Sequence, residues 1–142
     1  MTDVLPPADN EYGERVRARL SGEIAVWLTT VGADGTPQPN PVWFVWDGGT
    51  SLLVYNRSDA HRLTHLRRSP RLSLHFDGNG RGGNVVVLTG SARVIEAPAP
   101  HEHPDYVSKY RADMARVSGS PEQFSAQYPV ALQVTIDKIR GF

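Results

Sequence analysis

The segment Tyr55–Phe76, YNRSDAHRLTHLRRSPRLSLHF, passes from a strand into a helix and back into a strand. Ser58 or Asp59 is in position to cap the helix, and Ser69-Pro70 ends it before the second strand. Inside the helix, apolar residues recur at the spacing of one helical face, which leaves a basic face for solvent. We therefore predict a strand–helix–strand unit here and interpret the rest of the chain around it.

The start of this predicted helix combines the features of an anion-binding site. Its first turn has unpaired backbone N–H groups, the Ser58 hydroxyl and the cationic side chains of Arg57 and Arg62. The N–H groups and the helix dipole favour an anion, and a guanidinium adds charge-assisted hydrogen bonds. The same residues also fit an ordinary capped surface helix, and this segment alone does not separate the two readings.

Composition limits the class of protein. The 15 basic residues balance the 15 acidic ones, which argues against a general nucleic-acid binder. Without cysteine there is no disulfide, thiolate metal site or cysteine nucleophile. The N-terminus lacks a secretory signal, and no apolar run is long enough to span a membrane. We expect a cytoplasmic protein with one domain, residues 1–142, of which residues 1–8 form a flexible tail.

Runs of branched and aromatic residues between turn signals predict six strands and a mainly β fold. The turns GADGT and DGGT join the first three strands as hairpins, and Gly90 indicates a bulge in the fifth. The second strand, Gln38–Trp46, has prolines in its early half, so we expect that half to be an edge or partly unpaired. Three modest helices are predicted, one of them over Pro104–Val117. Tight turns favour an antiparallel barrel with the last strand closing it.

No local motif identifies a reaction. The chain has no pattern for a serine triad, a zinc site or a phosphate-binding loop, and GNGRGG is not followed by a helix. His101-Glu102-His103 lies between prolines without a carboxylate partner at ligand spacing, so we read it as a solvated loop and expect no metal. Any enzyme built from this chain therefore takes its reactivity from a cofactor.

Four segments carry a family resemblance by their order and spacing. They are IAVWLTTVGADGTPQPNPVWFVWDGG, LLVYNRSDAHRLTHLRRSPRLSLHF, LTGSARVIE and VTIDKIRGF, which together extend over Glu23–Phe142. This order resembles the split-barrel flavin and deazaflavin oxidoreductases related to pyridoxamine 5'-phosphate oxidase. Within them it resembles the branch that uses coenzyme F-420, the 8-hydroxy-5-deazaflavin carrier of actinobacteria. The resemblance implies an FMN-binding-like split barrel of six antiparallel strands.

The resemblance also implies where the cofactor ring lies. Relatives carry G-x-P-x-x-x-P/N-V on the second strand beside the ring, which corresponds here to Asn40, Pro41 and Val42. Tyr55 and Asn56 end the third strand beneath it. Prolines would leave the second strand partly unpaired, so that its free carbonyl and N–H groups could contact the polar edge of a flat heterocycle.

The phosphate end of the cofactor is implied at the helix start. Relatives place a basic residue ahead of an N-L-x-x-N/D-P run, and Arg62 and Leu66–Pro70 match these positions. Arg57, Ser58 and His61 would complete the phosphate cradle. The C-terminal basic substrate pocket of the pyridoxamine phosphate oxidases themselves has no counterpart in this chain.

The activity implied is a reductase that transfers hydride from the deazaflavin C5 to a conjugated alkene, imine or quinone-like small molecule. No catalytic side chain is assigned, and the product's proton could come from Tyr55, His75, Tyr106 or solvent. An FMN-dependent oxidoreductase remains an alternative, because both cofactors carry a phosphate after a ribityl chain. A non-catalytic cofactor- or haem-binding carrier is the other alternative. The oligoglutamate tail of F-420 would favour a further basic groove, for which the candidates are Arg67, Arg68, Arg71 and Arg81.

The family forms homodimers with the cofactor between two barrels, with no nucleic-acid or membrane partner implied. Residues Trp43–Trp46 are all apolar and cannot all face one barrel interior, so they need cover on both sides. A partner subunit is the cover that we expect. The helix over Pro104–Val117 is the alternative.

Overall fold

The structure is a computed structural model that describes residues 4–142. This range contains seven strands, four α-helices and one short 3-10 helix. In chain order they are α1 (Glu11–Gly22), β1 (Ala25–Val31), β2 (Pro37–Trp43), β3 (Val45–Trp46), β4 (Ser51–Asn56), α2 (His61–Arg68), β5 (Arg71–His75), β6 (Val86–Ile95), the 3-10 helix (Pro100–Glu102), α3 (Pro104–Ser118), α4 (Pro121–Gln127) and β7 (Val130–Gly141).

All strands join one sheet in the order β2-β1-β5-β6-β7-β4-β3, and every neighbouring pair is antiparallel. The two edge strands, β2 and β3, follow each other in the chain with only Phe44 between them. The sheet therefore curls until its ends meet at this residue, which confirms the predicted split-barrel class. The bulge predicted at Gly90 is also confirmed, by a register shift between Thr89 and Gly90.

The prediction of six strands is wrong, because the run Gln38–Trp46 is divided at Phe44. The Phe44 N–H donates to the Tyr110 hydroxyl at 2.9 Å, and Lys109 Nζ donates to the Phe44 carbonyl at 2.9 Å. Side chains of α3 thus make the hydrogen bonds that a neighbouring strand would otherwise make. The chain is released from β1 at this point and pairs next with β4.

Two apolar clusters occupy the two faces of the curled sheet. The inner core combines aliphatic side chains with two phenylalanines and packs α1 and α2 against the concave face. The outer cluster packs α3 and α4 against the other face, and its buried members are Val45, Tyr55, Tyr106, Tyr110, Met114, Phe124 and Ala131. Successive residues alternate between the two, since Val42 and Phe44 belong to the inner core whereas Trp43 and Val45 pack in the outer cluster.

The outer helices cover the aromatic run that was predicted to need a partner subunit. Trp43 stacks on Tyr110 at 4.9 Å between ring centroids and on Phe124 at 5.3 Å. The alternative, cover by the helix over Pro104–Val117, is therefore what the structure shows. Val117, near the C-terminal end of this helix, is 47% exposed.

Two further boundaries differ from the predictions. Of the predicted flexible tail, residues 1–3 lie outside the described residues, whereas Val4 and Leu5 pack against the inner core. The Arg17 side chain then joins this segment to α1, because its Nη1 donates a 2.7 Å hydrogen bond to the Pro6 carbonyl. The second difference is α4, a fourth α-helix where three helices were predicted. No helix in the range 4–142 has the length and apolar content needed to span a membrane.

Candidate functional site

A cavity of about 300 Å³ lies between the barrel wall and the outer helices. We call it the aromatic cavity, because five of its lining side chains are aromatic. Its lining residues are Pro41, Val42, Trp43, Tyr55, Arg57, Ala60, Arg62, Tyr106, Val117, Phe124 and Tyr128.

A second cavity of about 440 Å³ lies on the other side of Arg62. We call it the polar cavity, since hydroxyl, amide, imidazole and guanidinium groups line it. Its lining residues are Thr30, Gln38, Asn40, Ala60, His61, Arg62 and His65. Ala60 and Arg62 belong to both walls, so the two cavities adjoin at the start of α2.

Arg62 is held by the buried side-chain amide of Asn56. Its Nη1 donates to Asn56 Oδ1 at 2.6 Å, and Asn56 Nδ2 donates to the carbonyls of Val54 and Val130 at 3.0 and 3.1 Å. Among residues 4–142, no carboxylate lies within ion-pair distance of this guanidinium. Burial lowers the pKa of Arg62, an effect that Tyr128 opposes. A half-buried cation without a counter-ion is therefore available to an anionic ligand.

The first turn of α2 adds backbone donors at the same place. The residue before the helix is Ala60, which has no capping side chain, so the N–H groups of His61 and Arg62 are left for another acceptor. The prediction that Ser58 or Asp59 caps the helix is wrong. Ser58 is exposed and lines neither cavity, so its place in the phosphate cradle stays a prediction.

The outer edge of β2 presents only carbonyl groups from Pro37 to Pro41. Every residue of β2 is paired with β1, and prolines cannot donate to that ladder. Since alternate residues of an antiparallel strand bond the same neighbour, Gln38, Asn40 and Val42 must bond β1. The proline carbonyls therefore face outward, and the first N–H on that edge belongs to Trp43. The expectation that this half is an edge is confirmed: β2 pairs with β1 along its whole length, and within residues 4–142 no strand pairs with its outer side.

The candidate proton donors differ in their surroundings. The Tyr55 hydroxyl donates to the Pro98 carbonyl, and burial raises the pKa of this group to about 12. His75 lines neither cavity and stacks on Trp27 with 6.2 Å between ring centroids. Tyr106 lines the aromatic cavity.

The structure brings most of the predicted site residues together. Pro41, Val42, Tyr55, Arg57 and Arg62 line the aromatic cavity, Asn40 and His61 line the polar cavity, and Asn56 supports Arg62.

The prediction missed the wall that the outer helices contribute to the aromatic cavity, above all Phe124 and Tyr128. A signal for α4 was present, because Ser120, Pro121 and Gln123 form an S-x-x-Q capping pattern with proline at the first helical position. In the structure, the Gln123 N–H donates to Ser120 Oγ at 3.1 Å. No cluster of three or more potential metal ligands occurs between Val4 and Phe142.

A single antiparallel sheet that curls until its two edge strands meet in the chain defines the split-barrel fold. The family model described as pyridoxamine 5'-phosphate oxidase matches residues 12–142. The chain belongs to this family, which includes oxidoreductases and binds flavin-type cofactors. No curated protein matches it.

Solved structures with the same fold extend across nearly the whole chain. An F420 reductase is 22% identical with a TM-score of 0.64, and the match covers 87% of this chain and 94% of that one. A conserved hypothetical protein from Mycobacterium tuberculosis is 20% identical with a TM-score of 0.66, covering 99% and 88%. General stress protein 26 from Bacillus anthracis is 17% identical with a TM-score of 0.65, covering 89% of each chain. At these identities the likeness concerns the fold.

Proposed function

We propose that this protein is a coenzyme F-420-dependent reductase that transfers hydride to a conjugated small molecule. The observation that carries the proposal is Arg62, a half-buried guanidinium at the junction of two cavities, with no carboxylate partner among residues 4–142. Its geometry fits a ligand that is flat at one end and anionic at the other. The bound deazaflavin supplies the hydride, and the chain binds, orients and shields it.

In this proposal the two cavities bind different parts of the cofactor. The polar cavity, with the Arg62 guanidinium and the first N–H groups of α2, takes the phosphate. The ring lies along the outer edge of β2, beside Asn40, Pro41 and Val42, where the aromatic cavity begins. There the carbonyls would accept from N–H groups of the ring, and the Trp43 N–H would be the first backbone donor for an acceptor of the ring. The remainder of the aromatic cavity, beneath α3 and α4, holds the substrate.

The helix α2 supplies a reason to favour F-420 over FMN. His61 and His65 are one turn apart and line the polar cavity, and Arg68 follows on the same face. This basic row extends away from the phosphate position, as an oligoglutamate tail would. Arg71, another candidate for the tail, already pairs with Asp137, which makes it less suited to the role. The F420 reductase among the structural neighbours also supports this choice.

The proposed protein is a homodimer with the cofactor at the subunit interface. Members of the family are typically dimeric. Asn40, Pro41, Arg57 and His61 are exposed in the single chain, although each lines one of the cavities. A partner subunit would cover this open side and exclude water from the ring. Sedimentation velocity with and without cofactor tests the assembly, and a monomer that binds cofactor tightly contradicts it.

Anaerobic titration with each cofactor tests the proposal. We expect tight F-420 binding, followed by the cofactor's own fluorescence, and weaker binding of FMN. Arg62→Ala should weaken F-420 by about 1–3 kcal/mol through loss of a charge-assisted phosphate contact. Arg71→Ala is the control, because Arg71 is exposed and lines neither cavity.

Each alternative function has its own outcome in this titration. Tight FMN binding without F-420 binding assigns an FMN-dependent oxidoreductase and contradicts the main proposal. Bound F-420 without reduction of any conjugated acceptor assigns a carrier. Comparison of FMN with riboflavin isolates the phosphate, and an equal loss for both in Arg62→Ala shows that Arg62 does not bind it.

A further inference from the structure

Tyr106 packs against both Tyr55 and Tyr110 in the outer cluster, and the three hydroxyls differ in their hydrogen bonds. Tyr106 lies 4.8 Å from Tyr55 and 4.8 Å from Tyr110 between ring centroids. The Tyr55 hydroxyl donates to the Pro98 carbonyl. The Tyr110 hydroxyl accepts from the Phe44 N–H at 2.9 Å, and the Ile24 carbonyl lies 2.7 Å away as an acceptor for its proton. The hydroxyls of Tyr55 and Tyr110 are therefore both hydrogen-bonded to backbone groups.

The Tyr106 hydroxyl has no hydrogen-bond partner in the part of the chain that the structure describes, although the residue is only 1% exposed. Within that part, every fully buried side-chain nitrogen or oxygen has a partner. The small exposed surface of Tyr106 must therefore include its hydroxyl, and Tyr106 lines the aromatic cavity. A buried phenol with no partner in the fold is thus directed into the cavity.

The cavity offers donors and no ionised acceptor. Among the described residues that line it, none is Asp or Glu, whereas Arg57, Arg62, Tyr106 and Tyr128 carry N–H or O–H groups. Burial is the largest cause that raises the pKa of Tyr106 well above its ordinary value, so the phenol keeps its proton at any working pH. Such a site favours a planar ligand whose oxygen accepts hydrogen bonds and disfavours a cation.

We propose that Tyr106 binds the carbonyl oxygen of the electron acceptor, which is a planar conjugated carbonyl compound such as an enone or a quinone. This inference rests on the proposed function. Hydride from the reduced cofactor forms a C–H bond at the carbon conjugated to the carbonyl, and the displaced π electrons move to the oxygen. The Tyr106 O–H donates to that oxygen as its negative charge develops, and a proton from water completes the reduced product. The cofactor loses two electrons, and the acceptor gains them.

The decisive variant is Tyr106→Phe, which keeps the ring and removes the hydroxyl. With cofactor-loaded protein, we expect cofactor affinity within twofold of wild type and kcat/KM for 2-cyclohexen-1-one lowered about tenfold, the effect of one lost hydrogen bond. A readout without turnover is the affinity of 1,4-naphthoquinone for the protein with oxidised cofactor, measured by tryptophan quenching. It should weaken by a similar factor. Tyr110→Phe is the matched control, because its hydroxyl is bound to the main chain one turn away.

Four outcomes separate this inference from the function on which it rests. Unchanged acceptor binding and turnover in Tyr106→Phe, with an active wild type, overturns the inference alone. Loss of cofactor affinity in this variant also overturns it, since the hydroxyl then contacts the cofactor. An equal loss of acceptor binding in Tyr110→Phe assigns the effect to packing and overturns it as well. If the wild-type protein binds neither F-420 nor FMN, the proposed function is wrong, and so is the inference that rests on it.

Discussion

The inner core and the outer cluster share the same strands but are built from different side chains. The inner core consists of aliphatic residues with Phe44 and Phe76, and none of its members is more than 7% exposed. In the outer cluster, four of the seven buried members are aromatic and three are tyrosines. The buried members of the inner core are all apolar, whereas those of the outer cluster include three hydroxyls and adjoin the aromatic cavity.

This difference separates the residues that stabilise the fold from those available to a ligand. Removing volume from the inner core leaves a void that the curled sheet cannot fill. Removing a hydroxyl from the outer cluster changes one hydrogen bond and leaves the packing in place. Variants on the two sides should therefore affect different measurements, and four predictions test this division.

The largest effect is expected for Leu74→Ala, in the middle of the sheet. Leu74 is fully buried on β5, between β1 and β6. We expect a loss of about 2–5 kcal/mol in the free energy of unfolding, measured by urea denaturation. The control is Val117→Ala, which removes an apolar group that is 47% exposed and should change stability by less than about 0.5 kcal/mol. Similar losses of stability in Leu74→Ala and Val117→Ala would contradict the division between the inner core and the outer cluster.

A smaller effect is expected for Tyr110→Phe in the outer cluster. The variant leaves the buried Phe44 N–H without an acceptor at the point where β2 becomes β3, so we expect a loss of about 1–3 kcal/mol. Tyr106→Phe removes a hydroxyl with no partner in the described chain and should cost less. Thermal and urea unfolding of both variants measure these losses of stability. Equal losses would show that the hydrogen bonds of Tyr110 do not stabilise the division between β2 and β3 at Phe44.

The two faces also explain which features the sequence could reveal. Alternation and turn chemistry predicted the strands and the bulge at Gly90, because these signals are local. The break at Phe44 could not be predicted, since it depends on Tyr110 and Lys109, which are distant in sequence. The role of Asn56 could not be predicted either. The sequence places it at the end of a strand, and only the structure shows that its side-chain oxygen accepts a hydrogen bond from Arg62.

The predicted residues that line the two cavities come from two chain segments, whereas the lining residues contributed by α3 and α4 were not among the predicted binding residues. The predictions came from two contiguous segments and the family resemblance: Asn40, Pro41 and Val42 on one, and Tyr55, Asn56, Arg57, Ser58, His61 and Arg62 on the other. Phe124 and Tyr128 reach the aromatic cavity only because α4 packs on α3, and the sequence alone does not specify that packing.

The third prediction concerns pH and Lys109, whose Nζ lies 3.9 Å from the Phe44 ring centroid. Burial lowers the pKa of Lys109 to about 8, and Glu23 opposes this shift. Below pH 8 both the folded and the unfolded state are protonated. Between about pH 8 and the unfolded pKa of 10.5, the unfolded state binds more protons, so stability rises with pH. The side chain is half-exposed, which makes this rise smaller than the losses above.

Urea unfolding of wild type and Lys109→Met between pH 7 and about 9 measures the effect, in a range where unfolded tyrosines are still mostly protonated. The stability difference should move in favour of wild type as the pH rises. A constant difference across this range would mean that the Phe44 carbonyl and ring compensate the burial of the charge.

The smallest effect is expected for Arg68→Ala, at the far end of the basic row on α2. Exposed charge contacts contribute up to about 1 kcal/mol, so F-420 with its oligoglutamate tail should bind two- to fivefold more weakly at low salt. FMN, which has no tail, should bind as before, and high salt should remove the difference by screening. Arg71→Ala, which removes a cation already paired with Asp137, serves as the control. An equal loss for FMN would place Arg68 at the phosphate, and an unchanged F-420 affinity would show that the tail leaves the polar cavity in another direction.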